Sequence, residues 1–294
     1  MYVIIGANGY MGAYLIKNIL VTTDDEILAV CRTPRKDETN HRVHWVGCDV
    51  TMELEVKELN EKYLKRSKDN KVFYLAAYHH PDMVEKNPRI AWDVNVTALS
   101  RFLNQMENVT KFFYPSTDSV YGDSIGGRVF AEVDELNPVN RYGKHKCVAE
   151  KLVTGYGHHV VRYPFLISPS LVPEKPHFYD TIAATIKAGK PFEMFSDSYR
   201  SAISFDQAAK YALQLMNMEK PIPQIVNICS DKGYSKYDVG LMVADKEGIS
   251  RELIHPISIA ASQGIFEAKR ATSTLMDNSL LKHLVCEGKI ELVL

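Results

Sequence analysis

Cysteine is scarce and scattered. The 294-residue chain has 5, at Cys31, Cys48, Cys147, Cys229 and Cys286, with no Cys-x-x-Cys pair. An odd, dispersed set argues against a disulfide framework and for free thiols in a reducing compartment. An excess of either charge is also missing: 35 Lys and Arg stand against 36 Asp and Glu. That balance argues against a general nucleic-acid or acidic-membrane binder, which needs a cationic surplus. No apolar run approaches the ~18 residues that span a bilayer. The start, "MYVIIGANG", has no basic region and too short an apolar run for a secretory signal. No internal repeat or low-complexity tract is visible. A soluble, cytoplasmic protein without nucleic-acid or membrane partners is expected.

What is present is alternation. Short apolar runs, "YVII" (2–5), "EILAVC" (26–31), one within "HRVHWVGCDV" (41–50), "KVFYLAA" (71–77), "KFFYPSTDS" (111–119) and "HHVVRYPF" (158–165), read as strands. Between them, 10–20, 55–65 and 98–108 read as helices; in the first, Met11, Tyr14, Leu15, Asn18 and Ile19 share a face. Such alternation predicts an α/β fold, a doubly wound parallel sheet of Rossmann type. After residue 166 the pattern changes. "ISPSLVPEKPHF" (167–178) holds three prolines and reads as a loop. Helices follow at 179–189 and 204–218, and a strand at 224–230. The expected division is 1–166 plus about 201–227 for the nucleotide-binding sheet, and about 167–200 plus 228–294 for a smaller C-terminal substrate lobe.

The turn after the first strand is "IIGANGYMG", with Gly6, Gly9 and Gly12 separated by Asn8 and by Tyr10 and Met11. Glycines here let backbone amides approach a pyrophosphate at a helix N-terminus. A dinucleotide is therefore the expected cofactor. An acid after the second strand would bond the ribose 2′-OH of NAD. The chain instead reads "AVCRTPRK", with Cys31 and Arg32 in that position, Arg35 and Lys36 close behind, and no carboxylate before Asp37. A guanidinium suits a 2′-phosphate, so NADP is favoured over NAD. Asp49 and Val50 follow the third strand. Asp49 either meets the adenine or caps the following helix; both readings stay open.

The fifth strand ends in Ser116 and Thr117, at the sheet edge where such folds bind ligands. Tyr142 and Lys146 stand one turn apart on the next helix. Tyr-x-x-x-Lys alone is common; with Thr117 and the glycine loop it acquires a chemical meaning. Hydride addition to a carbonyl leaves an alkoxide that needs a proton, which a phenol can give. A nearby ammonium should lower the phenol's pKa and can hold the nicotinamide ribose. The Thr117 hydroxyl can steady the charge developing on the carbonyl oxygen. Asn95 is a candidate buttress.

These motifs, in this order, resemble the extended short-chain dehydrogenases/reductases: the Gly6–Gly12 loop, Asp49, "LAA" (Leu75, Ala76, Ala77), Asn95, "STDSVYG" (116–122) and Tyr142…Lys146. Within them the chain is most similar to the dTDP-4-dehydrorhamnose reductase branch. The similarity lies in "AYHHPDMVEKNP" (77–88), "STD" (116–118), "EVDELNPVNRYGKHKCVAE" (132–150) and "KRATSTLMDNSLL" (269–281). The resemblance implies NADPH-dependent reduction of a nucleotide-linked keto-deoxysugar. It implies Thr117, Tyr142 and Lys146 as the catalytic set. The 75–77 segment and Asn95 would then border the cofactor, and Tyr78, His79, Arg200 and Arg270 the substrate. Departures reshape the pocket: "RYPF" (162–165) stands for Arg-Thr-Ser-Trp, Ala271 for a proline, and "HHP" (79–81) for smaller residues. Adjacent histidines diverge, so no metal is expected at His79 and His80. Competing readings are an NAD-dependent epimerase or dehydratase on the same scaffold, and a non-catalytic NADP-binding regulatory subunit. A homodimer is a common assembly of this superfamily.

Overall fold

The computed structural model describes residues 1–35, 39–172, 174–262, 264 and 266–294. Lys36 and Asp37, weighed above, lie outside them. The first part of the chain runs β1 (Tyr2–Ile5), α1 (Tyr10–Thr22), β2 (Ile27–Cys31), β3 (Val43–Gly47), α2 (Glu53–Lys62), β4 (Asn70–Tyr74), α3 (Pro81–Lys86), α4 (Pro88–Trp92), α5 (Ala98–Gln105), β5 (Val109–Thr117), β6 (Val129–Phe130), α6 (Arg141–Gly155) and β7 (His159–Tyr163). The rest continues α7 (Phe178–Lys187), β8 (Phe192–Phe195), β9 (Tyr199–Arg200), α8 (Phe205–Asn217), β10 (Ile225–Asn227), β11 (Tyr234–Ser235), α9 (Lys236–Glu247), β12 (Ile254–Ile257), β13 (Leu275–Met276) and α10 (Ser279–Val285).

Seven strands form one parallel sheet in the order β10-β7-β5-β4-β1-β2-β3. Its strands are apolar on both faces because helices cover both. Period-2 alternation sends Tyr2, Ile4, Phe73 and Phe113 to the side of α1 and α8. It sends Val3, Ile5, Tyr74 and Phe112 to the side of α2, α5 and α6. On the first side Tyr14 stacks on Phe205 with ring centres 5.9 Å apart; on the second Tyr74 meets Phe102 at 5.1 Å. The chain order reverses between β1 and β4, and the crevice outside the strand ends opens there.

Of the remaining elements, α7, β8, β9, β11, α9 and β12 build a smaller lobe with its own apolar cluster, whereas α10 packs on the sheet side through Leu281. Strand pairs β8–β12 and β9–β11 hold it, with α7 and α9 packed through Ile182, Ile186, Val239 and Val243. A third pair, β6–β13, ties it to the segment after β5. Among the described residues no helix is long and apolar enough to cross a membrane.

Candidate active site

Gly6 has φ +90°, a conformation that side chains resist. A Cβ there would lie 2.9 Å from the Ala76 amide, so only glycine lets β1's turn approach the end of β4. Helix α1 then starts at Gly9, which offers no side-chain cap to the first-turn N–H groups. Open donors at a helix N-terminus are what an anionic phosphate fits. Gly12 is buried against Ala7.

A cavity of about 720 Å³ extends from this loop. Its walls include Gly6, Asn8, Gly9, Arg32, Asp49, Val50, Leu75, Ala76 and Ala77. The cradle that side chains would fill and the uncapped helix fit a dinucleotide's pyrophosphate. Asp49 Oδ1 accepts from Thr51 N at 3.0 Å and from Thr51 Oγ1 at 2.8 Å, so its carboxylate shapes the turn before α2 as well as the cavity wall. Tyr78 belongs to this wall, not to the neighbouring cavity where the resemblance put it, because the buried Asn95 clamps its backbone. Asn95 Oδ1 accepts from Tyr78 N at 2.8 Å and Asn95 Nδ2 donates to Tyr78 O at 3.1 Å. Asn95 thus shapes the wall without lining it. The Tyr10 side chain turns away: its hydroxyl donates to Pro176 O at 3.0 Å and its ring meets His177 edge-on. Met11 faces the second cavity.

That second cavity, about 520 Å³, shares Leu75, Ala77 and His79 with the first. It gathers Ser116, Thr117, Asp118, Tyr142, Lys146, Arg200 and Arg270, with His177 and Lys236. Asn140 caps α6 by accepting from Gly143 N at 2.9 Å, which fixes Tyr142 in the first turn and Lys146 in the next. A Cβ at Gly143 would sit 2.6 Å from Ser119 O, so its absence lets the helix start press on the Thr117 loop.

Lys146 Nζ donates to Pro115 O at 2.8 Å and lies 4.4 Å from the centre of the Tyr114 ring. Burial pushes its ammonium down to about 7. Burial and the Asp118 carboxylate push the Tyr142 phenol up. From its place one helical turn away, Lys146 is expected to lower that phenol. The structure turns Nζ to Pro115, 5.9 Å from the Tyr142 ring centre, and weakens its charge by burial.

Thr117 Oγ1 donates to Asp118 Oδ1 at 3.0 Å, and Asp118 Oδ2 lies 3.4 Å from Arg200 Nε. Burial raises the Asp118 carboxyl against the pull of Arg200 and the hydroxyl bonds. Arg200 also donates to Thr272 O at 3.0 Å and Ala271 O at 2.7 Å, which draws the Arg270 segment over the cavity. Arg270 Nη2 meets Asp82 Oδ2 at 2.9 Å. Its Nη1 is buried without a hydrogen-bond partner, as is Ser116 Oγ. His79 is an exposed residue that lines both cavities, and there desolvation pushes its imidazole down, with Lys146 adding to the effect. His80 is exposed and outside both cavities. Among the described residues no three His, Cys, Asp or Glu side chains could hold a metal ion.

Sequence reasoning missed four participants. From the sequence Asp118 stands beside Thr117 as half of a dehydratase's acidic pair that Ser119 leaves incomplete, and its link between Thr117 and Arg200 does not show there. Lys236 and His177 come from the lobe and carry no local motif. Glu150 bonds Arg162 at 2.7 and 3.0 Å, both buried, and so fastens α6 to β7.

The chain matches the family described as RmlD substrate binding domain over residues 1–289. It is 25% identical over 255 residues to the Probable low-salt glycan biosynthesis reductase Agl14 of Haloferax volcanii, covering 85% of this chain and 81% of that protein. A UDP-glucuronic acid 4-epimerase from Bacillus cereus, solved with UDP-glucuronic acid and NAD, superposes with a TM-score of 0.80 at 19% identity, covering 99% of this chain and 95% of that one. A dTDP-4-dehydrorhamnose reductase from Bacillus anthracis str. Ames, solved with NADP, gives a TM-score of 0.78 at 18% identity over 98% of this chain and 94% of that one. The chain belongs to the family described as RmlD substrate binding domain, which its model matches over nearly the whole length.

Proposed function

We propose that this protein reduces a keto-deoxysugar carried on a nucleotide, with NADPH as the reductant. One observation carries the reading: the two cavities share Leu75, Ala77 and His79 in their walls, and Thr117, Tyr142, Lys146, Arg200 and Arg270 all line the second. When bound, the nicotinamide supplies hydride to a carbonyl carbon. The chain's own residues do the rest. The Gly6–Gly12 loop holds the pyrophosphate, and Arg32 reads the 2′-phosphate. The described residues after β2, Arg32 to Arg35, include no acid. Thr117 orients the carbonyl oxygen. Tyr142, whose phenol is pushed up and so stays protonated at neutral pH, gives that oxygen its proton. Lys146 positions the ribose, its Nζ 5.9 Å from the centre of the Tyr142 ring. Arg200 and Arg270 meet the substrate's diphosphate with charge-assisted bonds.

The fold resembles both NAD-binding and NADP-binding proteins, so the test must separate the reactions. NADPH oxidation is followed with dTDP-4-keto-6-deoxyhexose and its UDP counterpart. Turnover that falls about 10²–10⁴-fold in Tyr142→Phe, with NADPH affinity retained, supports the reading. Interconversion of sugar epimers with no net use of NADPH would replace it with the epimerase.

A further inference from the structure

We propose that Lys236 is a substrate-binding residue which, with Arg200 and Arg270, forms a site for clustered anionic oxygens, supplied by the diphosphate or by a carboxylate on the sugar. The proposal deepens the nucleotide-sugar reading and rests on it. Lys236 opens α9, whose N-cap Ser235 accepts from Asp238 N at 3.0 Å. A lysine at such a position ordinarily extends to solvent. This one lies in the wall of the substrate cavity, its Nζ 4.7 Å from the centre of the Phe165 ring and 4.4 Å from that of Phe178. Two aromatic faces hold a cation without neutralising it.

The surrounding charges point to a ligand. Arg200 has Asp118 and Arg270 has Asp82, but no carboxylate among the described residues pairs with Lys236. The positive charges of Arg200 and Arg270 add to burial in pushing its ammonium down to about 8. His79 and His177 are both pushed down, and so add no positive charge at neutral pH. The cavity wall thus holds Arg200, Lys236, Arg270 and Lys146 against Asp118, with Asp82 paired to Arg270 from outside the wall. Arg270 Nη1, buried and unpartnered, is a second sign that an acceptor belongs here. Three cations crowded together weaken the free protein and gain only when an anion enters. A nucleoside diphosphate brings that charge, and a uronate sugar adds one more.

The test uses NADP-loaded wild type, Lys236→Met and Lys236→Arg, titrated with UDP, dTDP, UDP-glucose and UDP-glucuronate. The expected result is about a tenfold or larger loss of affinity in Lys236→Met, with recovery in Lys236→Arg. A similar loss for every probe assigns Lys236 to the diphosphate; a loss confined to UDP-glucuronate assigns it to a sugar carboxylate. Affinities equal to wild type for all probes overturn the proposal. A second measurement separates its failure from that of the nucleotide-sugar reading. Pyridoxal 5′-phosphate is added to the NADP-loaded protein: the free amine adds to its aldehyde, water leaves, and borohydride delivers hydride to the imine. Preferential labelling of Lys236, blocked by inorganic pyrophosphate, keeps the anion site even where no sugar nucleotide binds. Labelling of Lys236 no faster than of surface lysines, with no protection, overturns it.

Discussion

Lys146 serves the site at the expense of the fold. Its ammonium is buried against an aromatic ring, with one carbonyl for a partner. Burial lowers its folded-state pKa to about 7 from 10.5, so the unfolded chain holds the proton more tightly. The penalty is fully present below about pH 7 and fades as pH rises toward the unfolded value. Lys146→Met should therefore stabilise the protein at pH 6 by on the order of 1–3 kcal/mol, after allowing for the orphaned Pro115 carbonyl. The gain should shrink toward zero near pH 10, and turnover should collapse at every pH. Urea unfolding at pH 6 and pH 9.5 checks it. A variant less stable than wild type at pH 6 would mean that the ammonium is paired in solution. At this scale the convergence of Thr117, Tyr142 and Lys146 on one cavity was legible because each sits in a local frame, a strand end or one helical turn. Lys236 was not: it meets Arg200 and Phe165 only because the lobe folds back over the sheet.

Among the elements, α6 matters most, since it carries both Tyr142 and Lys146. Three devices place it: the Asn140 cap, the bare Gly143 against Ser119 O, and the buried Glu150–Arg162 pair. Arg162 Nη1 also donates to Tyr121 OH at 2.6 Å, which donates to Asn227 Oδ1 at 2.8 Å, so the pair reaches β10. Removing one partner strands a buried charge. Glu150→Ala should cost about 3–5 kcal/mol, whereas Glu150→Met with Arg162→Met should lose much less. Thermal melts of the single and double variants decide it; equal losses would show that the pair's worth lies in packing. Gly143→Ala should lower kcat in the NADPH-oxidation assay, because its methyl would push α6 off the Thr117 loop. The seven strands of the parallel sheet were legible through their apolar runs, and α1 and α8 through periodicity; the short strands β6, β8, β9, β11, β12 and β13 were not. The short helices α3 and α4 were not read from the sequence, although Pro81 and Pro88 stand at their first positions. At six and five residues they are too short for a helical period to show.

At the scale of the molecule, the cofactor cavity draws on both parts of the chain. Lys175, in the loop leading to α7, donates to Asn8 O at 3.0 Å and lines the same cavity as Ala76. A dinucleotide seated there touches the glycine loop, the end of β4 and this loop together. Binding to the folded state alone stabilises by mass action, about 2.7 kcal/mol at a hundred times Kd. NADPH should therefore raise Tm by several degrees. NADH at the same concentration should raise it less, since only the 2′-phosphate can take the charge-assisted bonds of Arg32. Arg32→Ala should weaken NADPH about 10- to 100-fold, leave NADH nearly unchanged, and so bring the two melting curves together. The NADPH advantage should also shrink as salt is raised, because the Arg32 side chain is exposed. If NADH protects wild type as well as NADPH does, Arg32 reads no phosphate. The cofactor assignment then passes to NAD, and with it the balance of argument from a reductase that consumes its nicotinamide to an epimerase that recycles it.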